Sequence, residues 1–498
     1  MTSSTDAPIT RASVGLRSER GPVLLAVMLS TGLVAIDATI LAAAVPAVVD
    51  DLGGLTQFPW LFSVYLLAQA VSMPVYGKLS DLVGRKRIML VGVGLFVVGS
   101  LLCGVAWSMG SLIAFRALQG LGAGAVQPVG MTILGDIYSV AERAKVQGYV
   151  ASVWAASSLV GPTLGGIFAD YLSWRWIFLV NLPLGAVATW MLWTRFTESR
   201  APRDPGAARP RIDVAGSVLL TLGTVALLVA LLEGGVVWAW SSRASIGLLA
   251  GAAVLLAAFV LVEHRAAEPV LPLWVFRHRV VGAAMALSFV VGVLLLGLTS
   301  YVPLFSQGVL GTGAIVAGFV LAAMTIGWPV AATTAGRVYL RFGFRATVLL
   351  GSVVSVVGAA LLLTVDGSSS PLHLAVPNFV MGLGFGWVAS PSIVAAQAAV
   401  GWQERGVATS ATLFARSIGS AVGVAAFGAL ANSVVRGRLG HEPESLESLP
   451  PGVLEPAIEA VFVLSFAIAL TLLLASVLMP KRVEEVVEEP VSEDAPTT

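Results

Sequence analysis

The chain has 498 residues, of which 57% are apolar and 11% charged, with a net charge of +1 and a mean hydropathy of +0.89. A soluble globular domain carries about 25% charged residues, so this balance excludes one and leaves a polytopic helical membrane protein, all-α in class. Arginines shared out among connecting segments form no nucleic-acid-binding face, and a single cysteine, Cys103, excludes an intrachain disulfide and a cysteine metal site.

Residues 1–22, with Arg11, Arg17 and Arg20 among Ser and Thr, read as a cytoplasmic tail. Apolar runs of about 18–25 residues then predict spans over 23–46, 59–77, 88–107, 110–134, 146–169 and 175–194, a first bundle occupying 23–195. A cleaved leader ending at Ala42-Ala43-Ala44 fits poorly, because Asp37 interrupts the apolar run and many spans follow. A linker with Arg195, Arg200, Arg203, Arg209 and Arg211 opens a segment over 196–279 that holds two spans, 214–233 and 244–263. Six more, over 280–305, 313–336, 346–365, 371–398, 406–433 and 456–479, fill a second bundle at 280–480, and an acidic cytoplasmic tail covers 481–498. The histidines His264, His278, His373 and His441 all fall in or beside connections, so none is placed as a buried proton relay or metal ligand.

Lysine and arginine alternate by connection. Lys78, Arg85, Lys86 and Arg87, then Arg143 and Lys145, the linker, Arg265, Arg277 and Arg279, then Arg337, Arg341 and Arg345, and Arg405 fall on one side; Arg175, Arg243, Arg436 and Arg438 fall on the other. The positive-inside rule places both termini in the cytoplasm, as an even number of spans requires.

The two bundles are repeats. Gly120-Leu121-Gly122 and Gly124 recur as Gly382-Leu383-Gly384 and Gly386; at the same offset Glu142-Arg143 recurs as Glu404-Arg405, and Gly161 as Gly423. Gly77 to Arg87 has a weaker echo at Gly336 to Arg345. Repeated halves with a substrate site near the midplane are a signature of transporters.

An ionisable group at membrane depth costs about 2.5–3.5 kcal/mol on insertion scales, so it persists where it faces a partner or a cavity. Asp37 lies roughly nine residues, or ~13 Å, below the outer end of its span, and Arg116 about six residues, or ~9 Å, below the outer end of the fourth. Similar depth makes an Asp37–Arg116 pair expected, either as a proton-coupling element or as a static packing pair. Arg416 is a second buried cation, serving either backbone carbonyls or a polar or anionic substrate group. Gln119, Gln127, Asn378 and Gln397 are the other polar candidates for a cavity lining, with Met324, Trp328, Phe385 and Trp387 as apolar walls. The second connection, Gly77-Lys78-Leu79-Ser80-Asp81-Leu82-Val83-Gly84-Arg85-Lys86-Arg87, combines glycines for close approach with Asp81, a residue type that caps helix N-termini. It reads as a conformational latch built on Gly77, Asp81, Gly84, Arg85 and Lys86.

That connection resembles the signature loop of the major facilitator superfamily. Gly148 with Gly161-Pro162-Thr163-Leu164-Gly165-Gly166 resembles the motif of its exporters, where proline and glycines allow intimate helix packing. Trp174-Arg175-Trp176-Ile177-Phe178-Leu179-Val180-Asn181-Leu182-Pro183-Leu184-Gly185 is similar to the start of the sixth span in the fourteen-span drug:proton antiporters, and its tryptophans suit an interfacial belt. The resemblance implies two six-helix bundles with two inserted helices, and no enzymatic activity. It also implies roles for Asp37 in coupling and Arg116 in proton transfer, and a bacterial cytoplasmic membrane as the setting. The partners expected are protons, the bilayer and an amphipathic small molecule, with a monomer as the working form; no cofactor or metal is expected. A Gly-x-x-x-x-Gly-Lys-Ser/Thr loop for ATP is missing from the sequence. Export of one dedicated endogenous product is the alternative to broad efflux.

Overall fold

The computed structural model describes residues 14–55, 57–198, 213–235, 237–439, 449–483 and 486. Expectations for residues 1–13, for Arg200, Arg203, Arg209 and Arg211, for His441 and for most of the acidic end fall outside the described residues.

Among the described residues fourteen helices are long and apolar enough to cross a membrane. They are α1 (Gly21–Leu52), α2 (Trp60–Val83), α3 (Arg85–Gly104), α4 (Met109–Ile137), α5 (Val140–Tyr171) and α6, formed of Trp176–Leu179 and Asn181–Arg195 in tandem. Then come α7 (Val214–Glu233), α8 (Arg243–Glu263), α9 (Arg279–Gly308), α10 (Ala314–Phe342), α11 (Phe344–Leu362), α12 (Pro371–Ala398), α13 (Arg405–Leu439) and α14 (Pro451–Leu478). Each predicted span falls on one helix, though 88–107 and 346–365 overrun the helix ends at Gly104 and Leu362, and several helices run further than predicted. α2 continues through Lys78 and Asp81, and α13 through Arg436 and Arg438. Hydropathy ends where charges begin, whereas the backbone hydrogen bonds of a helix do not depend on side-chain polarity at the bilayer edge.

The helix starts are written locally. Ser108 with Ser111 and Ser139 with Glu142 form capping boxes on α4 and α5. The side chains of Asp213, Ser242 and Ser370 accept backbone N–H groups at the starts of α7, α8 and α12. Single glycines join α2 to α3 and α10 to α11: Gly84 at φ 112° and Gly343 at φ 88°, a region that other residues enter only with strain. The faint echo between residues 77–87 and 336–345 is thus one sharp turn used twice.

Each half has its own apolar core. Leu24 and Val27 of α1, Met89 and Phe96 of α3 and Ile133 of α4 belong to the first; Leu294 and Phe305 of α9, Phe385 of α12, Phe427 of α13 and Phe462 of α14 belong to the second. The halves meet along two seams, α2 against α13 and α5 against α10. Small residues allow the approach: Gly77 faces Ser410 and the Gly406 carbonyl, Gly148 faces Thr333, and Gly336 faces Ala144. The inserted helix α7 packs on both α2 and α13, with Leu228 joining Ala70, Val71, Ile418 and Ala421. It therefore lies over their seam, and α8 packs onto α7. Along α5 and α10, by contrast, Leu159, Val160, Ile326 and Val330 are exposed.

Candidate functional site

Asp37 lies midway along α1 and is 1% exposed. Arg116 of α4 reaches it: Nη1 donates to Asp37 Oδ2 at 2.5 Å and to Gln119 Oε1 at 2.7 Å, while Nε donates to the Leu61 carbonyl at 3.1 Å. Gln119 Nε2 donates to Asp37 Oδ1 at 2.7 Å, and Asn181 Nδ2 donates to the same oxygen at 3.4 Å. Ser100 Oγ accepts from Gln119 at 3.1 Å and from Asn181 at 2.9 Å, and donates to the Phe178 carbonyl at 3.0 Å. The guanidinium lies 4.1 Å from the Tyr65 ring centre, within cation–π range. Five helices, α1, α2, α3, α4 and α6, thus hold one neutral, hydrogen-bonded ion pair. Removing one partner of such a pair typically costs about 3–5 kcal/mol, because a bare charge is left behind.

Matching depth brought Asp37 and Arg116 forward from the sequence, and the structure puts them in contact. Gln119, expected on a cavity wall, belongs to this set instead. Asn181, Ser100 and Tyr65 were missed. Asn181 had a signal, an amide inside the apolar run of α6; Ser100 and Tyr65 had none that separates them from ordinary membrane serines and tyrosines.

A second charged set crosses the α2/α13 seam. The Asp81 carboxylate accepts the N–H groups of Gly406 and Val407, each at 2.9 Å, so a side chain of one half caps a helix of the other. Arg85, fully buried, pairs with Asp81 at 2.8 Å and with Asp136 at 3.0 Å. It also donates to the Trp402 carbonyl and sits 3.5 Å from that residue's ring centre. Arg405 pairs with the other Asp136 oxygen at 3.3 Å. Gln397 Nε2 donates to the Met131 carbonyl at 3.0 Å, tying α12 to α4. On the other seam the Tyr339 hydroxyl donates to the Val140 carbonyl at 3.1 Å. Deeper in the membrane, Met73 of α2, Met131 of α4, Ile393 of α12 and Leu413 of α13 meet in one apolar cluster between the halves.

Several expectations need correction. Lys86 does not join the seam: its Nζ donates to the Trp193 carbonyl at 2.7 Å within the first half, because the turn at Gly84 aims Arg85 inward and its neighbour outward. Gly161 and Gly165 bring α5 against Thr39 and the Ile40 carbonyl of α1, but a Cβ added at Gly166 would meet nothing, since that position turns away from α1; Pro162 between them is exposed. Met324, Asn378 and Phe385 are completely buried and line no open space in this arrangement. Asn378 bonds back to the Leu374 carbonyl at 2.8 Å, and Phe385 packs edge-on with half-buried Trp328. Gln397 is spent on the seam. Trp174 is no belt residue: it is buried, with Nε1 donating to Asp51 at 3.0 Å, while Trp176 is exposed. Gln127 and Arg416 are half-buried in the middle of α4 and α13. Among the described residues no group of His, Cys, Asp and Glu could hold a metal ion.

The family model described as Major Facilitator Superfamily matches residues 27–424. The multidrug transporter protein MdtP of Bacillus subtilis is 34% identical over 419 residues, 84% of this chain and 76% of that protein. Multidrug resistance protein 3 of the same organism is 36% identical over 417 residues, 84% of this chain and 80% of its own length. The crystal structure of the human organic anion transporter MFSD10 (TETRAN) superposes with a TM-score of 0.62 at 15% identity, covering 92% of this chain and 99% of that one; a likeness at that identity speaks to the fold alone.

Proposed function

The chain belongs to the Major Facilitator Superfamily, a family of membrane transporters, and from that premise we propose that it exports amphipathic small molecules in exchange for protons, by alternating access. The setting is the cytoplasmic membrane of a bacterium, with both termini on the cytoplasmic side, as the distribution of lysine and arginine supports. Efflux is supported by the names of its multidrug relatives. The observation that carries proton coupling is the Asp37–Arg116 pair, buried inside one half of a two-halved bundle.

In this reading the charged set around Arg85 closes the cytoplasmic end, so this arrangement faces outward. A proton taken up by Asp37 removes its charge and frees Arg116, which keeps Gln119 Oε1, the Leu61 carbonyl and the Tyr65 ring as neutral acceptors. Two residues along α1, Thr39 Oγ1 donates to the Ser157 carbonyl of α5 at 3.0 Å, and α5 in turn forms the second seam with α10. A shift of α1 at the pair is thereby passed to the surface along which the halves rock. Opening the cytoplasmic end then requires Asp81 to leave the first turn of α13. The driving force is about 2.3 kcal/mol per charge per 100 mV, plus ~1.4 kcal/mol per pH unit.

The deciding experiment uses everted vesicles holding an imposed proton gradient, a panel of cationic, neutral and anionic amphiphiles, and Asp37→Asn alongside. Substrate-dependent dissipation of the gradient, absent in the variant, is the expected result. Equal dissipation in both proteins would remove Asp37 from coupling; a response to one compound of the panel alone would replace broad efflux with a dedicated product.

A further inference from the structure

The apolar cluster of Met73, Met131, Ile393 and Leu413 forms a floor, and three polar side chains stand just above it. Gln69 lies four residues before Met73 on α2, Gln127 four before Met131 on α4, and Arg416 three after Leu413 on α13. Residues three or four apart share a helix face. α2 and α4 run towards the charged set at Asp81 and Asp136, while α13 runs away from it, so all three lie on the same side of the floor, ~5 Å further into the membrane. None has a side-chain hydrogen bond or ion pair among the described residues. Gln69 is 7% exposed, yet its amide atoms are not among the sealed, unpaired ones; an amide without a protein partner keeps part of that residual surface.

The charge balance around these three side chains is one-sided. The carboxylates on α2, α4, α7, α9, α12 and α13 are Asp81 and Asp136, both engaged at the seam, and Glu233 at the end of α7. Asp37 is satisfied within its own set, and its partner Arg116 is eleven residues, or ~16 Å, from Gln127 along α4. Arg416 is therefore an uncompensated cation at membrane depth, where a charge costs a few kcal/mol unless something answers it.

We infer that the space above this floor binds the acidic head group of an amphiphile, a carboxylate or sulfonate, with Arg416 as counter-ion, Gln69 and Gln127 as neutral donors beside it, and the two methionines of the floor adapting to its apolar body. This rests on the efflux reading and names the substrate class of its central site. It also separates the substrate's charge from the proton's: an anion meets Arg416 while Asp37 and Arg116 stay paired, so the two couple through helix movement and not by sharing a residue.

The test uses three probes with one ring system: pyrenebutyrate, its methyl ester, and a pyrene bearing a quaternary amine. Binding to the purified full chain in nanodiscs is read by pyrene fluorescence for the native protein, Arg416→Gln and Arg416→Lys. The native protein is expected to bind the carboxylate at least tenfold more tightly than the ester and to discriminate further against the cation. Arg416→Gln reduces the carboxylate to the level of the ester, and Arg416→Lys keeps most of the preference. Ester or cation binding as tightly as the carboxylate, or a ratio unchanged in Arg416→Gln, overturns the proposal; should that variant fail to fold, the native ratio decides alone. The same proteins in vesicles with a proton gradient separate the two claims. Charge-selective binding with no proton-driven movement of any probe sinks the efflux reading and leaves the site, whereas movement without carboxylate preference sinks only the site.

Discussion

Asp37 and Arg116 answer differently to substitution, although they touch. Arg116→Ala leaves the carboxylate buried beside amides that cannot neutralise it, and the loss is expected near the ~3–5 kcal/mol of a broken buried pair, visible as a fall in thermal unfolding temperature in detergent. Asp37→Asn keeps the shape but leaves Arg116 buried with only the Gln119 oxygen, the Leu61 carbonyl and the Tyr65 ring to answer it, so a smaller fall in unfolding temperature is expected together with loss of gradient-dependent transport; parallel melting and transport assays on the two variants distinguish these outcomes. Arg85 gives a second residue-scale prediction. A lysine there is a point charge that cannot serve Asp81, Asp136 and the Trp402 carbonyl together. Arg85→Lys is expected to raise maleimide labelling of a cysteine placed at Ser410, which is fully buried at the seam, several-fold over the same reporter with Arg85 intact. Unchanged labelling would show that the charged set does not govern closure.

At the scale of helices, the glycines of α5 are not equivalent. Gly165→Val drives side-chain atoms into the Ile40 carbonyl of α1 and is expected to destabilise by about 1–3 kcal/mol, whereas Gly166→Ala changes stability by no more than about 0.5–1 kcal/mol; detergent melting curves of the pair check this. The sequence made the helices legible because membrane-length apolar runs announce themselves, and the glycine turns because few residues tolerate their dihedrals. Which face of a helix looks inward was less legible. Where nearly every side chain is apolar, periodicity fades as a guide, so Met324 and Phe385 could be read as cavity walls although both are sealed in packing. Asp81 could be read as a cap, but nothing local says that the helix it caps lies more than three hundred residues away. Ser100 and Tyr65 took their meaning only from Asp37, a neighbour that the fold supplies.

For the molecule as a whole, the α5/α10 seam offers a lock. A Cβ built at Gly148 lies 3.3 Å from the Cβ of Thr333, close to the spacing of disulfide-bonded cysteines. Gly148→Cys with Thr333→Cys is expected to crosslink under mild oxidation, to stop transport while leaving ligand binding intact, and to recover on reduction; the native Cys103 is buried and stays out of the reaction. Transport that continues through the crosslink would exclude rocking along this seam. The two seams also differ in what surrounds them, and the repeat alone would have made them alike. A molecule dissolved in lipid could then enter between the halves from either flank. With α7 lying over the α2/α13 flank, the protein is one-sided within the plane of the bilayer: in the efflux reading the α5/α10 flank is the one left facing lipid, and a neighbour pressed against it would cover the side that α7 leaves bare.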